Sequence, residues 1–155
     1  TRKGYIVIKK FKKGFSLIEL LVVIAIIGIL AAVGITVYTG YTANAKTQVS
    51  TTQHAQVVAL INAEFAKCAS ASGSYVWPGA TKDACGTVTV ANIASYLNSS
   101  TVGLGMKNAY STAAGAVIAT GTATDGQILI SYASPTVTIA TDIGSSTLTA
   151  KVSKY

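Results

Sequence analysis

From Leu20 to Ile35 the chain runs sixteen residues without a charge or a side-chain hydrogen-bonding group. No segment constrains the fold more. As a helix from Phe15 to Ile35, these 21 residues reach about 30 Å at 1.5 Å per residue, the thickness of a bilayer's hydrocarbon core. Six of the twelve basic residues (Arg2, Lys3, Lys9, Lys10, Lys12 and Lys13) precede this run, and no cation follows it until Lys46. By the positive-inside rule the N-terminus is cytoplasmic and the rest lies across the membrane. Residues 15–155 hold six basic and five acidic residues, so the chain's +7 is a topological signal in a short leader and the body is nearly neutral. Half the residues are hydrophobic, which excludes intrinsic disorder, and 155 residues leave no room for a multi-domain enzyme.

A secretory signal peptide is the competing reading, with Ala43-Asn44-Ala45 as its cleavage site and a soluble domain from Lys46. Against it stand the length of the apolar run, Glu19 near its start, and a helical pattern that continues through the cut. An ionised side chain at the centre of a spanning helix costs roughly 2.5–3.5 kcal/mol. The apolar segment offers Glu19 no Lys, Arg or His. Its partner is therefore headgroup water or a cation from another chain.

The stretch Lys13-Gly14-Phe15-Ser16-Leu17-Ile18-Glu19-Leu20-Leu21-Val22-Val23-Ile24-Ala25-Ile26-Ile27-Gly28-Ile29-Leu30-Ala31-Ala32 resembles the class III signal and N-terminal helix of type IV pilins and the related pseudopilins. The resemblance implies cleavage between Gly14 and Phe15 by a prepilin peptidase and methylation of the new Phe15 amine. It further implies that Glu19 pairs with the Phe15 amine of an adjacent subunit, which would set subunit stagger, since a buried pair penalises misregister more than it stabilises. The implied partners are further copies of the chain joined through residues 15–68, the pilus assembly machinery and, before assembly, the bacterial inner membrane. The implied destination is an extracellular filament at the cell surface. A type II secretion pseudopilin is the nearest alternative, and a calcium-binding acidic loop of the kind some pseudopilins carry is not seen in the sequence. Where many pilins have a proline, this chain has Thr36. Their C-terminal disulfide loop has no counterpart, because no cysteine follows Cys85.

The expected fold class is α+β: a long N-terminal helix, transmembrane and then amphipathic, packed against a C-terminal antiparallel sheet as in the pilin ladle. A basic leader (1–14) precedes the apolar helix (15–37). The amphipathic half (38–68) follows, with Val58, Ile61, Phe65 and Cys68 on its buried stripe. No proline interrupts residues 1–77, so one helix to about Cys68 would be about 80 Å long. A loop region (69–108) begins with the breaker Ser70 to Gly73 and the turn Trp77-Pro78-Gly79. It contains a short helix, Val90 to Asn98, capped by Thr89 and burying Ile93 and Leu97. The sheet (109–155) is read from residues 116–119, 127–133, 136–141 and 146–152, with Asp125-Gly126 signalling a hairpin between the first two.

Cys68 and Cys85 are the only cysteines, and in an extracytoplasmic domain they most simply form a disulfide. With His54 they lack a fourth ligand and zinc-site spacing, so no metal or cofactor is expected. His54 reads as an exposed or inter-subunit helix position, and Asp83, Asp125 and Asp142 as loop-shaping residues, so no catalytic constellation exists. Lys151, Lys154 and Tyr155 read as a solvated tail rather than a nucleic-acid footprint, and Tyr38 and Tyr41 as a membrane-interface belt. Asn98-Ser99-Ser100 matches a glycosylation sequon.

Overall fold

A computed structural model describes residues 14–70, 85 and 87–154. The chain divides into two compact units, Thr1–Tyr41 and Thr42–Tyr155. Helix α1, Leu17–Ser70, contributes to both.

In the first unit α1 is a run of Leu, Ile, Val and Ala whose side chains face outward on all sides, with Leu17 81%, Ile27 59% and Ile29 67% exposed. A helix that is apolar all round has no one face to bury and calls for an apolar surrounding.

In the second unit α1 becomes one-sided. Val57, Ile61, Glu64 and Phe65 are buried, with Val58 and Cys68 packed partly against the same core. The expected stripe thus holds at Ile61 and Phe65 and is shifted toward Val57. Glu64, only 2% exposed, forms an ion pair with Lys67 one turn later. That contact lets a carboxylate lie under the stripe, since a buried charge needs a partner.

Helix α2, Val90–Asn98, buries Ile93 and Leu97, as the sequence predicts, together with Ala94. Thr89 stands at its N-cap in an extended conformation, but its side chain makes no capping bond; its carbonyl accepts from Asn92 and Ile93 instead. Four strands follow: β1 Val117–Ile118, β2 Ile128–Ala133, β3 Thr136–Asp142 and β4 Thr147–Ser153, in the order β1-β2-β3-β4. Their alternation, with Val137, Ile139 and Thr141 inward and Thr136, Thr138 and Ala140 outward, supplies one face to the core.

The sheet is antiparallel from β2 to β4, but β1 pairs parallel to β2 through Val117↔Ile128 and Ile118↔Leu129. The α+β class holds and the sheet is mostly antiparallel as expected, whereas the hairpin expected at Asp125-Gly126 is corrected, because the strands on its two sides, β1 and β2, run parallel. Gly126 does turn the chain at φ +77°, but that turn feeds β2 alongside β1 rather than folding one back on the other. Hydrogen bonding shows why: the Ile128 amide donates to the Ala116 carbonyl and the Gly126 amide to the Asp142 carbonyl, so β3 guides the start of β2. The hairpin forms instead between β2 and β3, around Ser134 and the cis-Pro135.

One hydrophobic core joins α1, α2 and the sheet through residues including Ile61, Leu97, Ile130 and Ile139. Each such side chain stabilises the fold by roughly 1.5–3 kcal/mol on full burial. The breaker and turn expected over 70–79 and the acidic Asp83 fall mainly in residues 71–84, outside those described, as does Tyr155.

Candidate functional site

The junction at Gly14 and Phe15 leads directly into α1. Phe15 is 80% exposed, and a Cβ added to Gly14 would meet nothing within 4 Å. The fold of the single chain therefore gives no steric reason for glycine at 14. Four residues after Phe15, the Glu19 carboxylate accepts a hydrogen bond from the Ser16 backbone amide at 2.8 Å. Ser16-Leu17-Ile18-Glu19 is thus half of a capping box, in which a glutamate at the third helical position reaches back to the amide preceding the helix. The sequence reading sought Glu19's partner only in headgroup water or another chain. The Ser-x-x-Glu spacing ahead of an apolar run was the signal for a local one. The carboxylate also lies in the first turn, where the helix dipole favours negative charge.

Beyond Glu19 the exposed surface is hydrocarbon broken only by small residues. A Cβ at Gly28, Gly34 or Gly40 would meet nothing within 4 Å. Each glycine nevertheless costs about 1 kcal/mol of helix propensity relative to alanine. Thr36 and Thr39, in the region where a proline was looked for, bond back to the Val33 and Thr36 carbonyls and stay helical.

Cys68, near the end of α1, is joined to Cys85 in a disulfide with a Cα–Cα separation of 5.5 Å, closing a loop of 17 residues in sequence separation. Near the other end of the second unit, Lys46 stacks 5.4 Å above the Tyr110 ring, and Thr47 shares a hydrogen bond with the Tyr110 hydroxyl. Asn108, 3% exposed, fixes this corner by donating to the Asp125 carbonyl and accepting from the Tyr110 amide. Asp142 accepts from the Gly144 amide, in keeping with a loop-shaping role.

His54 differs from its sequence reading. It is half-buried, with Nδ1 hydrogen-bonded at 2.7 Å to Oγ1 of Thr141, a fully buried residue of β3. Helical periodicity alone did not mark it as core, because it is polar and lies one turn before the apolar stripe begins. Lys154 also differs: β4 carries the chain to Ser153, and Lys154 is 8% exposed with its amide bonded to the Pro135 carbonyl, so no solvated tail begins there.

The sequon residue Asn98 has its Nδ2 committed to the Val117 carbonyl at 2.7 Å, while its Oδ1 accepts from the Val117 amide at 3.0 Å. Through this pair of hydrogen bonds the side chain works as a clamp between α2 and β1. Among the described residues no group of three His, Cys, Asp or Glu side chains converges as a metal site would require.

Comparison with known proteins places the relationship at this N-terminal segment. The family model described as the prokaryotic N-terminal methylation motif matches residues 9–35. A fimbrial protein of Pseudomonas aeruginosa is 61% identical over 41 residues, covering 26% of this chain and 25% of that protein. Type IV major pilin protein PilE1 of Neisseria gonorrhoeae is 63% identical over 35 residues, covering 23% and 21%. A fimbrial protein of Neisseria meningitidis serogroup B matches at the same identity over the same span. The matched segment is about a quarter of the length of these relatives, and no solved structure gives a significant match. The opening segment of this chain is a prokaryotic N-terminal methylation motif, and over that segment the chain is pilin-like.

Proposed function

We propose that this chain is the structural subunit of a type IV pilus-like filament. A prepilin peptidase cleaves it between Gly14 and Phe15, and the Phe15 amine is methylated. Before assembly the apolar part of α1 is held in the bacterial inner membrane, with the second unit on the far side. In the filament at the cell surface the same hydrocarbon is buried against the helices of other copies.

The observation that carries this reading is the all-round exposure of the helix from Leu17 to Tyr41, including Ile24 at 61%, Ile29 at 67% and Leu30 at 67%. Such a surface is unstable in water, and both proposed environments remove it. Helix glycines with open space around them support close approach of a second helix, for which a small residue is needed. Continuity of α1 through Ala43-Asn44-Ala45 to Ser70 speaks against release of a soluble domain at that point.

In this mechanism Glu19 changes partner. In the single subunit its carboxylate caps the helix through the Ser16 amide. During polymerisation it pairs with the ammonium on Phe15 of a neighbouring subunit, and the desolvated pair admits one axial stagger. Mass spectrometry of the mature N-terminus tests the processing step. N-methyl-Phe15 is expected; a chain starting at Lys46 would replace this reading with a secreted domain, and an intact leader would replace it with a membrane-anchored protein. Glu19→Ala should enter the membrane normally and yield no filaments by electron microscopy. Abundant regular filaments from that variant would remove the pairing step.

A further inference from the structure

The contact between α1 and the sheet changes character along the helix. Toward its C-terminal end it is hydrocarbon, with Val57, Ile61 and Phe65 in the common core. One turn before Val57 the helix presents His54, and one turn earlier the fully buried Ser50. Opposite His54 stands Thr141, fully buried and held in β3 between Ile128 of β2 and Leu148 of β4. The Nδ1 to Oγ1 hydrogen bond of 2.7 Å is therefore a polar link inside a helix–sheet interface.

Among the described residues no neighbouring charge meets the imidazole. On β3, Asp142 follows Thr141 and so alternates to the other sheet face, where its carboxylate binds the Gly144 amide. On β4, Lys151 belongs to the exposed outer row, and β2 carries no charged residue. In the 106–110 segment Lys107 is exposed and the Tyr110 hydroxyl is engaged with Thr47 and the Ile143 carbonyl. On α1 itself Lys46 lies over Tyr110, while Glu64 is ten residues further along and paired with Lys67. Asp125 is exposed beyond the start of β2.

We propose that His54 makes the docking of the sheet on α1 sensitive to mild acid, protonation of its ring loosening β3 from the helix while the Cys68–Cys85 bridge holds. An imidazolium here is partly desolvated and has no carboxylate among the described residues to answer it, so the charged form favours the opened interface. Burial accordingly lowers the ring's pKa from its ordinary 6.5. The sign follows: the opened chain takes up the proton more readily. The interface is at full strength above about pH 6.5 and weakens as pH falls toward the lowered folded-state value. The inference does not depend on filament assembly, since helix and sheet belong to the same unit.

The test uses the full chain in detergent micelles, followed by urea titration at pH 7.5, 6.5 and 5.5. For the wild type, the opening constant should rise by up to about tenfold per pH unit below about 6.5. His54→Gln offers an amide in place of the ring and cannot titrate, and its urea midpoint should be the same at all three values. Equal pH dependence in wild type and His54→Gln would overturn the proposal. An NMR titration of the wild-type ring is the companion measurement, which needs no variant to fold. A ring titrating below 6.5, with β3 amide exchange rising over the same range, is expected; titration at or above 6.5 would also overturn it.

Discussion

The two units use glycine and hydrocarbon in opposite ways. Along the first part of α1, added Cβ atoms at Gly28, Gly34 and Gly40 find open space, and the large apolar side chains face outward. In the second unit a Cβ at Gly103 would lie 1.7 Å from the Tyr96 carbonyl oxygen, and one at Gly126 would lie 2.3 Å from Asn108 Oδ1. Ile61, Ile93, Ile128 and Ile139 are there fully buried. One unit is complete within the single chain; the other has its packing requirements met only by surroundings outside it. The same residue types thus report self-sufficiency in one region and dependence in the other.

Paired truncations put this contrast to its hardest test. Ile139→Ala should cost about 2–5 kcal/mol of second-unit stability in urea, the ordinary range for deleting a buried aliphatic side chain. Ile27→Ala, equally drastic chemically, should leave that midpoint within about 0.5 kcal/mol, because Ile27 is 59% exposed on the helix of the first unit. A large effect from Ile27→Ala would mean that the two units are energetically one.

The bridge comes next in size. Replacing Cys68 and Cys85 together by serine should cost about 3 kcal/mol in the chain-entropy account, for a loop of 17 residues. Urea unfolding of the double variant measures this, and an unchanged midpoint would show that the loop is already restrained in the unfolded chain. The smallest effect probes the clamp between α2 and β1. Asn98→Ala leaves the Val117 amide and carbonyl without their partners and should cost about 1–3 kcal/mol. Amide exchange at Val117 should accelerate in that variant before exchange in β3 does.

What was readable in advance divides along the same line. The extent of α1 was legible because sixteen uncharged residues without proline leave little alternative, and the structure ends it at Ser70 against an expected Cys68. Helix α2 and strands β2 to β4 were legible from their periods of about 3.6 and 2. The direction of β1 was not. Two residues carry no periodicity, and Asp-Gly signals a turn without saying which strands it joins.

At the candidate site, Gly14, Phe15 and Glu19 were legible as a motif, while Glu19's bond to Ser16 was overlooked although its spacing was in view. His54 could not have been placed. Its partner Thr141 is 87 residues away in sequence, and nothing local to Thr52-Gln53-His54-Ala55-Gln56 announces a buried threonine opposite. The Asn98 clamp was hidden for the same reason, its partner Val117 lying 19 residues away in sequence.

By itself, then, the sequence determined the N-terminal methylation motif and the apolar helix, because charge, hydropathy and helical rise act along the chain and need no tertiary partner. Only the tertiary structure decided the parallel placement of β1, the polar link between His54 and Thr141, the burial of Lys154 and the clamp that Asn98 makes on Val117. Each of these depends on which distant backbone and side-chain groups come within hydrogen-bonding distance, and that is a property of the packed fold.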